Sequence, residues 1–309
     1  MDRFRSGFDI EIVHYEDMEM TFHMKGVSLA LANALRRIII SETPTMAIEH
    51  VFMVNNTGII NDEMLSHRLG LVPLAVNPHQ FQYKLSDEPA TEANTIVLRL
   101  KVACRQLADG TLVDNKVTSG HLEWLPEGSE MPEETGCLFS RSQEDQIDPV
   151  RPTHDDILLA KLRPGEEIEL EAHCVKGVGE EHAKWSPVAT AWYRLMPEVV
   201  LLRSVTGDEA AELAKELPGL FTVGPGGEAV VDNPLEHEKL LEKLRWMSGQ
   251  PKWQGVVQLR KLKNHCVFTI QSTGAWKPHE LFQYAIQVLK SKCDKVLEGL
   301  QRYPAPEDD

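Results

Sequence analysis

The sequence has no long hydrophobic run. None of its apolar stretches approaches the ~20 residues that a membrane-spanning helix requires, and the N-terminal segment lacks the apolar region of a signal peptide. These two absences predict an intracellular protein with no membrane partner. Hydrophobic residues still make up 42% of the 309 residues, which is enough for one large or two ordinary domains with proper cores.

Cysteine is scarce and scattered. No C-x-x-C pair occurs, whereas a zinc site needs four closely organised ligands that usually come in short paired spacings. We therefore predict neither a metal nor a cofactor, and we expect the thiols to be mostly small buried groups in a reducing compartment. The five cysteines are Cys104, Cys137, Cys174, Cys266 and Cys293.

Basic residues are outnumbered. The chain has 32 Lys and Arg against 47 Asp and Glu, which gives a formal net charge of −15. A protein that grips a phosphate backbone needs clustered Lys and Arg, so we expect no direct contact with nucleic acid. The acidic surface is expected to meet basic partner surfaces or to keep the protein in solution.

The common catalytic motifs are missing as well. The sequence contains no G-x-S-x-G, H-E-x-x-H or G-x-x-x-x-G-K-[ST]. His154-Asp155-Asp156 lies in a polar stretch, where a solvated loop is favoured over a metal site. Gly177-x-Gly179 is followed by Glu180, which would repel a phosphate. We predict a protein that is not an enzyme, and a homodimeric enzyme of unknown chemistry is the alternative from another functional class.

The most informative stretch is residues 24–74. A helix is predicted from Ser28 to Ser41, with Ser28 as its N-cap and Pro44 shortly after its end. Its apolar surface covers most of the circumference, so it needs neighbours on nearly all sides. An ordinary buried helix and a helix partly covered by another chain both fit this pattern. The polar interruptions share one face and are Asn33, Arg36 and Arg37.

Alternating apolar residues predict strands before this helix. Residues 8–24 are expected to form two half-buried strands, with Phe8, Ile10 and Ile12 on one side of the first. Gly26 fits a tight turn from the second strand into the helix. Further strands are predicted at 47–55, 95–104, 157–162, 167–174 and 265–272, and further helices at 62–69, 208–217, 234–247 and 278–300.

The C-terminal helix, predicted over residues 278–300, carries a wide apolar stripe over five turns. Packing on its own sheet accounts for part of this stripe, and its width suggests a second partner helix. The stripe comprises Phe282, Ile286 with Ala285 beside it, Leu289, Cys293, Val296 and Leu300, widened by Leu281, Tyr284 and Val288.

Three motifs carry a family resemblance. Residues 31–47, L-A-N-A-L-R-R-I-I-I-S-E-T-P-T-M-A, resemble a helix of the bacterial alpha subunit of RNA polymerase, and 67–74, H-R-L-G-L-V-P-L, resemble archaeal and eukaryotic members of that family. Residues 183–191, A-K-W-S-P-V-A-T-A, look more like the large alpha-like subunit shared by RNA polymerases I and III than like its RNA polymerase II counterpart. The latter is the alternative within the family, and the missing cysteine cluster argues against it.

The resemblance implies a non-catalytic assembly subunit of RNA polymerases I and III, which make rRNA, 5S rRNA and tRNA. Such a subunit is located in the nucleus, in the nucleolus and the nucleoplasm. It forms a heterodimer with a smaller alpha-like subunit, and this heterodimer is the platform for the two largest subunits. The second-largest subunit and small polymerase subunits are the other expected partners.

The resemblance also assigns residues. Arg37, supported by Asn33 and Arg36, is the candidate contact with the second-largest subunit, so R37A is expected to weaken assembly and leave the heterodimer intact. Leu35→Asp is expected to abolish partner binding, because it would bury an unpaired charge. The predicted dimer interface comprises Leu31, Ala34, Leu35, Ile38, Phe282, Ala285, Ile286 and Leu289.

The implied fold is α+β. Residues 1–45 and 182–309 are expected to form a dimerisation domain, a mixed or antiparallel sheet with two long helices on one face. Residues 207–262 are an elaboration within that domain. Residues 46–181 are expected to form a mainly β inserted domain, which requires its two ends to lie close together.

Overall fold

The computed structural model describes residues 7–302, except Ser86 and Gln146, and only the backbone of Glu238. These residues form a mixed α+β structure with several antiparallel sheets. Residues 1–6 and 303–309 of the predicted dimerisation domain lie outside the described residues. The helices are α1 (Leu29–Ser41), α2 (Asp62–Gly70), α3 (Pro132–Thr135), α4 (Asp208–Glu216), α5 (Glu238–Ser248) and α6 (Pro278–Arg302). The strands are β1 (Asp9–Tyr15), β2 (Glu19–Lys25), β3 (Pro44–Asn56), β4 (Thr95–Ala103), β5 (Arg105–Gln106), β6 (Leu112–Val113), β7 (Lys116–Thr118), β8 (Leu122–Trp124), β9 (Leu158–Lys161), β10 (Glu167–Val178), β11 (Val188–Leu201), β12 (Phe221–Val223), β13 (Ala229–Val231) and β14 (Val257–Ser272).

Two four-stranded sheets contain most of the strand residues. One has the strand order β1-β2-β14-β11, and the other has the order β3-β10-β4-β8. In the second sheet every adjacent pair is antiparallel. Three smaller antiparallel pairs are β5-β6, β7-β9 and β12-β13. No helix in the described part of the chain is long and apolar enough to cross a membrane.

Most predicted helices form close to their expected bounds. Helix α1 begins one residue after Ser28, whose hydroxyl oxygen accepts a hydrogen bond of 3.4 Å from the Leu31 amide, so the predicted N-cap is confirmed. Helix α5 begins at residue 238 rather than 234. The Asn233 side chain accepts a hydrogen bond from the Leu235 amide at 3.1 Å, which favours a turn at that point over a helix.

The first strand differs from its prediction. All seven residues of β1 are exposed, and Ile12 is 59% exposed. The prediction of a half-buried strand was wrong because the described chain leaves the side chains on both faces of β1 exposed at the edge of its sheet, which local alternation cannot reveal. The second strand is as predicted, with Met20, Phe22 and Met24 buried. Gly26 then takes a φ of +73°, which confirms the tight turn into α1.

The chain divides into two compact units. The first contains the described residues up to 13, together with 21–33 and 192–269, and the second contains the described residues of 14–20, 34–191 and 270–302. In the first unit, one core forms among α4, α5 and the β12-β13 pair. In the second unit, the described residues of a larger core all lie between Met46 and Cys174.

Candidate functional site

A groove of about 410 Å³ opens between the C-terminal half of α1 and helix α6, within the second unit. Small, apolar and charged side chains all contribute to its walls. Such a mixed lining suits contact with another folded surface better than capture of a small molecule, which favours a deeper and mostly apolar pocket. The lining residues are Ala34, Arg37, Ile38, Ser41, Glu42, Glu180, Leu289 and Lys292.

Three local contacts fix the walls of this groove. The Lys292 ammonium donates to a Glu42 carboxylate oxygen at 2.5 Å, which links α6 to the end of α1. The Glu180 amide donates to the Ser41 carbonyl at 2.9 Å. A Cβ atom at position 179 would lie 2.1 Å from the Ile40 carbonyl oxygen, so only glycine allows this close approach.

Aromatic side chains hold the start of α6. The Trp276 indole N–H donates to the Pro44 carbonyl at 2.9 Å, which places α6 beside the start of β3. The Trp276 ring lies 5.0 Å from the His79 ring and 5.4 Å from the Tyr284 ring, measured between centroids. Burial raises the pKa of Tyr284. The orientation of α6 is therefore set at its N-terminal end.

Helix α6 has two unlike parts. Near its N-terminus, Leu281 and Ala285 are fully buried in the chain. Farther along, Val296 is 63% exposed, Leu297 57% and Leu300 64%. The apolar stripe therefore continues for about three turns beyond the point where the described chain covers it.

The structure places the eight predicted interface residues in two groups. Four are buried within the chain, so they shape and support the helices and offer no free surface. An aspartate at Leu35, which is 4% exposed, would therefore test folding before it tested partner binding. The buried four are Leu35, Ile38, Phe282 and Ala285; Leu31, Ala34 and Leu289 are half-buried, and Ile286 is 46% exposed.

The three polar residues of α1 also have different surroundings. Arg37 is exposed and lines the groove together with Ala34. Asn33 and Arg36 are half-buried and make contacts within the chain. Of the predicted large-subunit contacts, Arg37 is the one that is exposed.

The prediction of the site omitted several residues. Glu42, Glu180 and Lys292 line the groove, yet no apolar pattern marks them in the sequence. Leu297 extends the exposed stripe, and Leu300, which belongs to the predicted stripe, was not assigned to the predicted interface. Their helical spacing from Leu289 was the signal that could have identified them.

The buried titratable groups outside the groove interact with neighbouring groups of the fold. The Glu171 carboxylate accepts hydrogen bonds from the Ser129 hydroxyl at 2.7 Å and the Glu130 amide at 2.9 Å. Burial lowers the pKa of the neighbouring His173, whose Nε2 lies 3.6 Å from Glu171. In the described ranges, no group of three or more His, Cys, Asp or Glu side chains is arranged to hold a metal.

The sequence motifs at His154 and Gly177, considered above as a metal site and a phosphate site, are explained by packing. The His154 carbonyl accepts a hydrogen bond of 2.5 Å from the Ser119 hydroxyl, which anchors that polar loop. A Cβ atom at position 177 would lie 2.4 Å from the Trp185 ring. The glycine therefore makes room for an aromatic side chain.

Comparison with known proteins gives a consistent match. Residues 21–293 match the family described as the RNA polymerase Rpb3/Rpb11 dimerisation domain. The chain is 41% identical to the DNA-directed RNA polymerases I and III subunit RPAC1 of Homo sapiens over 313 residues, covering 97% of this chain and 86% of that protein. It is 39% identical to the corresponding rpac1 subunit of Dictyostelium discoideum over 304 residues, covering 98% and 84%. Identity with the RNA polymerase II subunit rpb3 of that organism is 31% over 301 residues, covering 93% of each chain. The family match includes all of α1 and most of α6, the helices that line the groove.

Proposed function

Because the chain belongs to the RNA polymerase Rpb3/Rpb11 dimerisation domain family, we propose that helices α1 and α6 bind a smaller alpha-like subunit. The chain is a non-catalytic subunit of DNA-directed RNA polymerases I and III. Its identity of 41% with a subunit of polymerases I and III exceeds the 31% with a subunit of polymerase II, which argues against the polymerase II alternative. The family membership also argues against a free-standing homodimeric enzyme.

The exposed stripe of α6 is the observation that carries the proposed interface. Burying a Leu, Ile or Val side chain contributes about 1.5–3 kcal/mol. Val296, Leu297 and Leu300 are each more than half exposed, so roughly 4 kcal/mol of burial is available to a partner at these three positions. A matching helix of the smaller subunit supplies that cover and completes a core of helices from both chains.

The predicted domain organisation has support from strand pairing. Lys176 of β10 lies opposite Met46 of β3, so the two ends of the 46–181 segment are neighbours. The core formed between residues 46 and 174 includes no described residue from elsewhere in the chain. Both observations favour an inserted, mainly β domain at 46–181 and a dimerisation domain with two long helices on one face, formed by 1–45 and 182–309.

Arg37 is proposed to contact the second-largest subunit, with Asn33 and Arg36 in supporting positions. The variant R37A is expected to retain the smaller subunit and to recover less of the second-largest subunit in a purified complex. Loss of the smaller subunit would instead place Arg37 in the heterodimer interface, which its position in the groove allows.

Membership of polymerases I and III implies a nuclear location, and we propose both nucleolus and nucleoplasm, with small polymerase subunits as further partners.

A substitution on the stripe tests the heterodimer. Leu297→Asp puts a charge on the proposed interface at a residue that is 57% exposed, so the fold of the chain itself should survive. We expect the amount of co-purified smaller subunit to fall about tenfold or more, since 1.4 kcal/mol corresponds to a factor of ten. The matched control is Ser291→Asp, which adds the same charge on the opposite, exposed side of α6. Normal recovery of the smaller subunit with Leu297→Asp would refute the proposed interface.

A further inference from the structure

A second groove, in the first compact unit, differs in charge from the chain as a whole. It has a volume of about 150 Å³ and lies among β11, β14 and α5. The chain carries a net charge of −15, yet the described residues that line this groove include four cationic side chains and one carboxylate. The cationic residues are Arg194, Arg245, Arg260 and Lys261.

Two of these positive charges are not neutralised within the described chain. Arg245 pairs with Glu242, the carboxylate of the lining, at 2.8 Å. Arg260 donates to the neutral amide oxygen of Gln258 at 2.6 Å. No carboxylate of a described side chain lies within 4 Å of Arg260 or Lys261, and both residues are exposed. A ligand with negative charge would therefore meet two accessible cations here.

The walls of the same groove are apolar between the cations. Leu195, Leu235 and Leu259 line it and are each half-buried, so part of each side chain faces solvent. Covering these groups removes apolar surface from water, which is favourable. The best-matched ligand thus carries carboxylates and apolar side chains close together.

We propose that this groove binds an acidic segment of another protein that also carries apolar side chains. A polypeptide presents both kinds of side chain at short intervals, and an arginine guanidinium pairs well with a carboxylate. A nucleic acid fits less well. None of the lining residues that the structure describes is aromatic, so they offer bases no stacking platform, and the strongly acidic chain repels phosphates at longer range.

The proposal gives a role to the elaboration at residues 207–262. Helix α5 and the turn at Leu235 belong to that segment and form one wall of the groove. Neither α1 nor the groove between α1 and α6 contributes to this site. The acidic-segment site is therefore independent of the heterodimer proposal.

Peptide binding to the full chain tests this site. The main probe is a fluorescein-labelled peptide of alternating Glu-Leu-Asp-Leu repeats, and its binding is followed by fluorescence anisotropy. The variant R260E/K261E is expected to bind this peptide about tenfold or more weakly, because both accessible cations become repulsive. The control R105E/K116E makes the same change in net charge at two exposed residues of the second unit, and it should bind like the wild type. Equal binding by the two variants would overturn the proposal.

Two further probes decide the chemical class of the ligand. A polyglutamate peptide of the same charge should bind more weakly than the alternating peptide, and Leu235→Ser should weaken the alternating peptide alone. A labelled oligouridine should bind weakly and lose little affinity in R260E/K261E. If oligouridine bound more tightly than the alternating peptide and depended on Arg260 and Lys261, the groove would be a nucleic-acid site and the proposal would be wrong.

Discussion

The sheet β3-β10-β4-β8 and the C-terminal half of α6 differ in the burial of their apolar side chains. In the sheet, Leu98 and Leu100 of the interior strand β4 are completely buried. In the helix, Leu297 and Leu300 have the same chemistry and are more than half exposed. The sheet buries its apolar side chains within the described chain, whereas the helix retains exposed apolar side chains, which we propose a second chain covers. On this proposal, the difference separates the part of the molecule that stabilises the fold from the part that binds a partner.

The largest expected difference between the two regions is in unfolding free energy. Leu98→Ala removes a side chain from a closed core, so we expect the chain alone to lose about 3 kcal/mol in the free energy of unfolding. Leu297→Ala should change that quantity by less than about 0.5 kcal/mol, because the side chain has few neighbours to lose. Urea denaturation of the two variants measures both values. Similar losses in the two variants would remove the distinction between them.

The next largest expected difference between the two regions is in how their stability depends on pH. Burial lowers the pKa of His173 in the folded sheet below the ordinary value of 6.5, although Glu171 opposes the shift and His50 and Lys84 support it. Below pH 6.5 the unfolded chain therefore binds more protons than the folded chain at this residue. The contribution of neutral His173 to stability is complete above pH 6.5 and decreases as the pH falls.

Hydrogen exchange measured against pH tests this expectation. Amides of β10 should exchange faster, relative to their intrinsic rates, as the pH falls below 6.5, and amides in the C-terminal half of α6 should not follow the same profile. Replacing His173 by Asn should flatten the profile of β10. An unchanged profile in that variant would show that His173 is not the source of the acid sensitivity.

The smallest expected effect concerns the ion pair at the groove. Lys292 is 52% exposed and Glu42 is 26% exposed, so water screens their attraction. Lys292→Ala should lower the free energy of unfolding of the chain alone by less than about 0.5 kcal/mol. A loss above about 2 kcal/mol, measured by the same denaturation, would mean that the ion pair holds α6 in place and that the buried residues near Leu281 do not suffice.

The sequence was informative where local pattern decides the structure. Helices α1 and α6 follow a helical period and have clear boundaries, with Ser28 before α1 and Pro278 at the first turn of α6. Strand β14 begins at Val257, eight residues before its predicted start, because Arg260, Lys261 and Lys263 interrupt the apolar alternation. Charged residues are compatible with an exposed part of a strand, so the local pattern ends before the strand does.

The sequence pattern could not predict which residues of a single apolar stripe are buried. Phe282 and Ile286 are four residues apart on the same face of α6, yet the first is 8% exposed and the second 46%. The spacing is the same in both cases, and only the neighbouring elements determine which side chain is covered. For the same reason, the sequence predicted the helices of the candidate site better than it predicted which of their residues remain free for a partner.

Cys293 provides the most direct measurement of the central claim. It is exposed and lies on the stripe of α6, whereas the other four cysteines are buried. The chain alone should therefore show one thiol that reacts rapidly with a maleimide, and this reaction should be strongly suppressed when the smaller subunit is bound. If Cys293 reacted at the same rate in the chain alone and in the complex, the exposed half of α6 would not be the surface that the smaller subunit covers.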